Sequence, residues 1–267
     1  MPELPDVELY KRHLDEHALH RKIVRVVVSD ARILGDLAEA TFVARLTGNR
    51  LEGSRRHGKH LLAEFARDGW LAMHFGMTGS LCYVEPAAAD VPYGRVRLDF
   101  GGGSLVYVNR RMLGRVGLAD DADAFIAAEG LGPDALDPAF EVATLSAALD
   151  GRREVKAVLM DQSLVAGIGN LYADEILFQV RLHPKAPGRK LGEAKRRTLF
   201  EKIREVLQTA IDCRAGAEQF LEHLPKSYLL PQRHEGGICP RCRSKLATLK
   251  AAGRTSYYCP RCQPEPA

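Results

Sequence analysis

Hydrophobic periodicity divides the chain into a strand-rich first half and a helical second half. Val7, Tyr10 and Leu14 have the spacing of one helix face, and Pro5 and Asp6 suit the first turn of that helix. Alternating or β-branched runs follow and predict strands at 22–28, 59–65, 70–75, 95–100 and 104–108. The first half is therefore predicted to be a β-sandwich with a leading helix.

The pattern changes after Gly130, where LGPDALDP supplies glycine and two prolines and predicts a linker. A helix is predicted over about 194–213, with one apolar face formed by Leu199, Ile203, Val206, Leu207 and Ala210. We predict an α+β protein with three domains. They are a helix plus β-sandwich at 1–130, a helical domain at 131–235 and a small cysteine module at 236–267.

Four of the six cysteines form two Cys-x-x-Cys pairs separated by sixteen residues. Each pair presents two thiolates, and the intervening chain is long enough for a β-hairpin that brings the pairs together. We predict one structural zinc ion and no organic cofactor, with Cys239, Cys242, Cys259 and Cys262 as ligands. A redox pair is the alternative, but two such turns form a closed site without an open position.

Charge is concentrated near this module, with seven Lys or Arg and two acidic residues from Arg233 onward, while the whole chain carries only +4. A basic module on a nearly neutral body favours a polyanionic partner, although a solubilising tail has the same composition. The chain has no apolar run long enough to cross a bilayer and no signal-peptide core, so no membrane partner and a cytoplasmic location are expected.

The segment SLVAGIGNLYADEILF places Gly167 and Gly169 between two helical stretches. It lacks the Lys-Ser/Thr of a nucleoside triphosphate loop, and no strand leads into it. Backbone N–H groups and Asn170 at the start of the second helix would suit one phosphate of a nucleic acid. A tight structural turn is the alternative, with Tyr172 expected to pack inside.

The chain contains five motifs from its start to its end: PELPDVE, RRHGKHLL, HFGMTGS, AGIGNLYADE and the four-cysteine hairpin with GRTSYYC. Together they resemble the formamidopyrimidine-DNA glycosylase and endonuclease VIII family over essentially the whole chain, and HFGMTGS favours the formamidopyrimidine branch. The resemblance implies a β-sandwich, a helix-two-turn-helix and a zinc finger. It also implies binding of damaged double-stranded DNA, removal of an oxidised base and cleavage of the strand. A monomer is expected, because one duplex requires only one copy of the chain.

By this resemblance Pro2 is the nucleophile and Glu3 the general acid. After removal of Met1, Pro2 carries a secondary amine, and an α-amino group with a pKa of about 8 is partly neutral near pH 7. Its attack on C1′ gives an iminium ion whose fixed charge promotes elimination. Read alone, Pro2 is an ordinary start and Glu3 a favourable charge at a helix N-terminus.

The resemblance also assigns phosphate-binding residues. Lys59 matches the hairpin lysine that assists elimination, and Arg254 matches the zinc-finger arginine that grips the phosphate of the everted nucleotide together with Asn170. Arg152 and Lys156 are similar to further cations that face DNA. A solvated turn lysine is the alternative for Lys59, and Arg254 read alone is one of seven basic residues.

Base eversion leaves a hole in the duplex that side chains must fill. Met77 resembles the first of these wedge residues, Arg111 the residue facing the orphaned base, and Leu113 the second wedge. Core packing is the alternative for Met77.

Three departures from the family pattern affect the choice of lesion. Asp6 replaces a glutamate, NRRMLG replaces a loop with an aromatic wedge, and the chain between Gly216 and Cys239 is shortened. Purine lesions such as formamidopyrimidine and 8-oxoguanine are the expected substrates. The alternatives are an oxidised pyrimidine or hydantoin glycosylase, and a non-catalytic zinc-dependent protein that binds damaged DNA.

Overall fold

The computed structural model describes residues 1–85, 91–216 and 220–266 and divides into two compact units. The first unit contains residues 1–2 and 6–129. The second contains residues 3–5 and the chain from 130 onward, including the cysteine module. The three-domain division drawn from the sequence stays a prediction.

The first unit contains two antiparallel four-stranded sheets. Its elements are α1 (Leu4–Ala18), β1 (Arg25–Val28), α2 (Glu39–Leu46), β2 (Leu51–His57), β3 (His60–Phe65), β4 (Trp70–His74), β5 (Gly79–Val84), β6 (Gly94–Asp99), β7 (Ser104–Asn109), β8 (Arg115–Ala119) and α3 (Ala122–Ala128). The strand orders are β1-β6-β7-β5 and β2-β3-β4-β8. One core contains Val7 of α1, Phe42 of α2, Leu61 of β3 and Leu105 of β7, which confirms the predicted sandwich.

All five predicted strands are present, with ends that differ by up to three residues. Strands β2, β5 and β8 were not predicted, and neither was helix α2. The sequence of β2, LEGSRRH, contains one strongly apolar residue, so only its pairing with β3 identifies it as a strand. Helix α1 begins at Leu4, three residues before its first apolar repeat, with Pro5 in its first turn.

The second unit contains α4 (Val142–Leu149), α5 (Val155–Met160), α6 (Asn170–Gln179) and α7 (Glu193–Asp212), followed by the hairpin β9 (Ala247–Ala251) and β10 (Arg254–Tyr258). Helix α7 confirms the predicted helix, and its five named apolar residues are fully buried. Among the described residues, no helix combines the length and apolar character required to cross a bilayer.

Candidate functional site

The carboxylate of Glu3 lies at the N-terminus of helix α6. Its Oε2 accepts hydrogen bonds from the N–H groups of Gly169 at 2.7 Å and Tyr172 at 3.2 Å, and Oε1 accepts one from Leu171 at 2.9 Å. Glu3 is fully buried, and the positive end of the helix dipole stabilises a negative charge there. The expectation that these N–H groups meet a DNA phosphate is therefore wrong for three of them, because Glu3 already occupies them.

The two glycines of the turn make room for the first residues of the chain. A Cβ atom at Gly169 would lie 2.4 Å from the carboxyl carbon of Glu3, and one at Gly167 would lie 2.5 Å from the Leu4 side chain. Gly167 also has a φ of +116°, and its carbonyl accepts a hydrogen bond from the N–H of Leu4 at 3.0 Å. The turn is thus built around the N-terminal segment.

Asn170, the first residue of α6, is held from both sides. Its Oδ1 accepts a hydrogen bond from Nζ of Lys156 at 2.7 Å, and its Nδ2 donates to the carbonyl of Thr255 at 3.2 Å. Thr255 directly follows Arg254, which is exposed at the start of β10. The structure therefore places Asn170 beside the strand that carries Arg254.

A buried ion cluster lies behind Asn170. Asp174, one helical turn further along α6, accepts a hydrogen bond from Lys156 Nζ on Oδ1 at 2.6 Å. Its Oδ2 accepts from Arg233 Nε at 2.9 Å and from the N–H of Tyr257 at 3.1 Å. Lys156 also contacts the hydroxyl of Ser256. The cluster joins α5, α6 and the hairpin.

This cluster corrects the expectation that Lys156 faces DNA, because its side chain has no exposed surface. Burial lowers the pKa of the Lys156 ammonium, and the charge of Asp174 opposes that shift. Lys156 therefore orients the Asn170 amide instead of presenting a charge to solvent. Arg152, in contrast, is exposed just before α5, as a DNA-facing cation requires.

The four predicted zinc ligands converge. Their sulfur atoms all lie within 4.8 Å of one another, with Cys239 and Cys262 at 3.9 Å and Cys242 and Cys259 at 3.4 Å. Tetrahedral zinc with Zn–S bonds of about 2.3 Å requires sulfur separations of about 3.8 Å. The donor set and spacing thus fit one structural zinc ion.

Neighbouring side chains hold this module in place. The Ser244 hydroxyl lies 3.0 Å from the sulfur of Cys242 and 3.2 Å from that of Cys259. Buried Gln263 accepts a hydrogen bond from the N–H of Cys259 at 3.0 Å and donates to the carbonyl of Leu182 at 2.7 Å. Such outer contacts orient metal ligands.

Removing the metal should destabilise this module, because so small a hairpin has little core of its own. We expect one zinc ion per chain by metal analysis and a lower unfolding temperature after chelation, restored by zinc. Cys259→Ser should lose the metal, whereas Cys213→Ser, at a free cysteine outside the cluster, should keep it. Equal zinc contents in the two variants would contradict the assignment.

Lys59 occupies a two-residue turn between β2 and β3. His57 pairs with His60, and Gly58 at the first turn position has a φ of +56°, as a tight hairpin with glycine there requires. The turn places Lys59 at the tip of the hairpin.

The two predicted wedge residues, and Arg111 with them, lie on two adjoining loops of the first unit. Met77 is 39% exposed and Leu113 is 51% exposed, so Met77 is not a core residue. A Cβ atom at Gly76 would lie 2.3 Å from the carbonyl oxygen of Leu113, which shows how closely the loops approach. The N–H of Arg111 donates to the Thr78 hydroxyl at 3.3 Å.

Asn109, which the sequence reasoning missed, ties these loops together. Its buried Nδ2 donates to the carbonyl of Phe75 at 3.1 Å, and its Oδ1 accepts from the N–H of Leu113 at 3.3 Å. Asp174 and Arg233 were also missed. The four-residue spacing from Asn170 to Asp174 was a usable signal, since it places both on one helix face.

Comparison with known proteins identifies matches along nearly the whole chain. Three family models match: the formamidopyrimidine-DNA glycosylase N-terminal domain at residues 1–116, the formamidopyrimidine-DNA glycosylase H2TH domain at 131–221, and the zinc finger found in FPG and IleRS at 238–264. The formamidopyrimidine-DNA glycosylase of Moorella thermoacetica is 37% identical over 266 residues, covering 98% of this chain and 92% of the relative. That of Methylococcus capsulatus is 36% identical, covering 98% of this chain and 100% of the relative.

Solved structures are also similar to this chain over nearly its whole length. The Lactococcus lactis protein in complex with a DNA containing Fapy-dG has a TM-score of 0.89 at 28% identity, covering 98% of this chain and 100% of that chain. The Lactococcus lactis protein bound non-covalently to DNA containing an abasic site has a TM-score of 0.88 at 28% identity, with the same coverage.

Proposed function

Because the chain belongs to the formamidopyrimidine-DNA glycosylase family, we propose that it excises oxidised purines from double-stranded DNA and then cleaves the strand. The observation that carries the proposal is the anchoring of Glu3 on α6, because it fixes the residue bonded to Pro2. We propose a monomer, since one duplex requires one copy of each phosphate-binding residue. We also propose that it acts in the cytoplasm.

The proposed reaction starts at the Pro2 nitrogen. Its lone pair attacks C1′, the bond from C1′ to the base breaks, and the departing base takes a proton from solvent. The proton that the Pro2 nitrogen loses passes to the Glu3 carboxylate. Opening of the sugar ring, with protonation of its oxygen by Glu3, gives the iminium ion. Loss of a C2′ proton then breaks the C3′–O bond and releases the 3′ phosphate. Loss of a C4′ proton in a second elimination, assisted by Arg254, breaks the C5′–O bond and releases the 5′ phosphate.

The remaining residues bind and deform the DNA in this proposal. Lys59 and Asn170 hold phosphates at the lesion, and Arg152 adds a further contact with the backbone. Met77 and Leu113 fill the space of the everted nucleotide, and Arg111 faces the orphaned base. Their exposure and their adjoining loops support these roles.

The test is borohydride trapping on a duplex with a single abasic site, using protein whose loss of Met1 is verified by mass spectrometry. We expect a covalent protein–DNA adduct and strand cleavage. Duplexes with formamidopyrimidine, 8-oxoguanine, hydantoin or thymine glycol, each opposite all four bases, then define the substrate. A chain that binds the duplex without adduct or cleavage is a damage-binding protein, and preference for thymine glycol would refute the purine assignment.

A further inference from the structure

The sheet β2-β3-β4-β8 carries a cavity of about 410 Å³ on the side covered by α3. His60, His74 and Arg115 are register partners on three adjacent strands, so they form one row across the sheet. At strand spacings of about 4.8 Å, this row is about 10 Å long. The next row on the same face contains Ala72 and Gly117, whose small size leaves the depression.

Three aromatic rings, those of His60, His74 and Phe125, form part of the cavity wall. The His60 ring lies 4.9 Å from that of His74 and 5.7 Å from that of Phe125, which meets it nearly edge-on at 72°. Burial lowers the pKa of His60 to about 3 and also lowers the pKa of His74, so both rings are neutral at pH 7. The cavity can therefore accept a planar, uncharged ring.

Two charged residues and one polar atom without a partner belong to the residues that line this space. Nδ1 of His60 is buried and has no hydrogen-bond partner among the described residues. Arg115 and Glu129 both line the cavity and are exposed to solvent, and in the described part of the chain neither side chain makes an ion pair or a hydrogen bond. Phe125 and Glu129 are four residues apart, so α3 presents both on one face.

We propose that this cavity is a binding site for a guanine-type purine, held between the Arg115 guanidinium and the Glu129 carboxylate and stacked against the aromatic wall. Guanine presents O6 and N7 as acceptors, which suit the guanidinium fork, and N1–H and N2–H as donors, which suit a carboxylate. Adenine has a donor beside N7 and no N1–H, so it matches neither group. None of the residues that line the site is a proposed catalytic residue, although the charge of Lys59 acts on His60 and His74. The inference does not depend on the proposed reaction.

The test titrates isotopically labelled protein with guanosine and adenosine and follows backbone amide shifts by NMR. We expect guanosine to shift the amides of His60, Gly117 and Phe125 and to bind at least about tenfold more tightly than adenosine, the difference expected for one bidentate contact. Absence of guanosine binding at millimolar concentration, or equal binding of adenosine, would overturn the proposal.

Matched variants locate the binding. A Cβ atom at Gly117 would meet open space, so the side chain of Gly117→Val should project into the cavity, narrow it and abolish these shifts. Gly102→Val, at an equally open glycine outside the cavity, should leave them unchanged. Glu129→Gln should weaken guanosine binding about tenfold, whereas Glu141→Gln should not. Guanosine affinity that is unaffected by both cavity variants places the ligand elsewhere and refutes the site.

Discussion

Blocking the Pro2 nitrogen with an uncleavable N-terminal extension should abolish the borohydride adduct at an abasic site. The extension leaves every side chain unchanged and converts the amine into an amide, whose nitrogen cannot form an iminium ion with C1′. Strand cleavage should fall by at least about 1000-fold, because the nucleophile that divides the reaction into two easier steps is lost.

Controls separate this chemical effect from loss of binding. The extended protein should keep its unfolding temperature and should still bind an abasic-site analogue that resists cleavage, which fluorescence anisotropy measures. Pro2→Gly retains a terminal amine and should give reduced trapping instead of none. Persistent trapping by the extended protein would move the nucleophile to a lysine, which peptide mapping of the adduct would identify.

Local sequence patterns predicted the features that depend on neighbouring residues. The spacing of α7, the apolar runs of β3 and β4 and the two cysteine pairs each depend on neighbouring positions. The structure confirms these elements, although β3 and β4 each bury three consecutive residues instead of alternating ones. Resemblance to a family added the candidate site residues, which no periodicity marks. Their roles remain predictions. Met77 and Arg254 are exposed, as contact with DNA requires.

Features that depend on distant partners could not be predicted. Lys156 was expected to face DNA by resemblance to the family, yet it is buried beside Asp174 and Ser256. Ser256 is 100 residues away along the chain. The cavity beside Gly117 is equally non-local, since it depends on the register of three strands.

The segment between Gly216 and Cys239 is shortened, and the sequence analysis used this feature to judge which lesion is the substrate. Residues 217–219 lie outside the described part of the chain. Further along, Phe220 is 55% exposed and its ring stacks on His223 at 5.4 Å. The panel of duplexes with different lesions measures the lesion preference directly.

Glu3→Gln should separate base excision from strand cleavage. The two oxygens of the Glu3 carboxylate accept hydrogen bonds from three backbone N–H groups. Glutamine has one acceptor oxygen, and its NH2 group would face the remaining N–H donors. The free energy of unfolding should fall by about 2 kcal/mol, as for the loss of a hydrogen bond to a charged group. Excision of an intact oxidised base should fall by about 100-fold or more, because a general acid is removed.

Strand cleavage at a preformed abasic site should decrease much less in the same variant. The base has already left, and a fraction of the abasic sites already has the sugar ring open as an aldehyde. Strand cleavage therefore needs the proton from Glu3 less than base excision does. Single-turnover rates on the two duplexes measure this split, with Glu3→Asp as the variant that keeps the charge on a shorter side chain. Equal losses on both duplexes would show that Glu3 only anchors the N-terminal segment on α6.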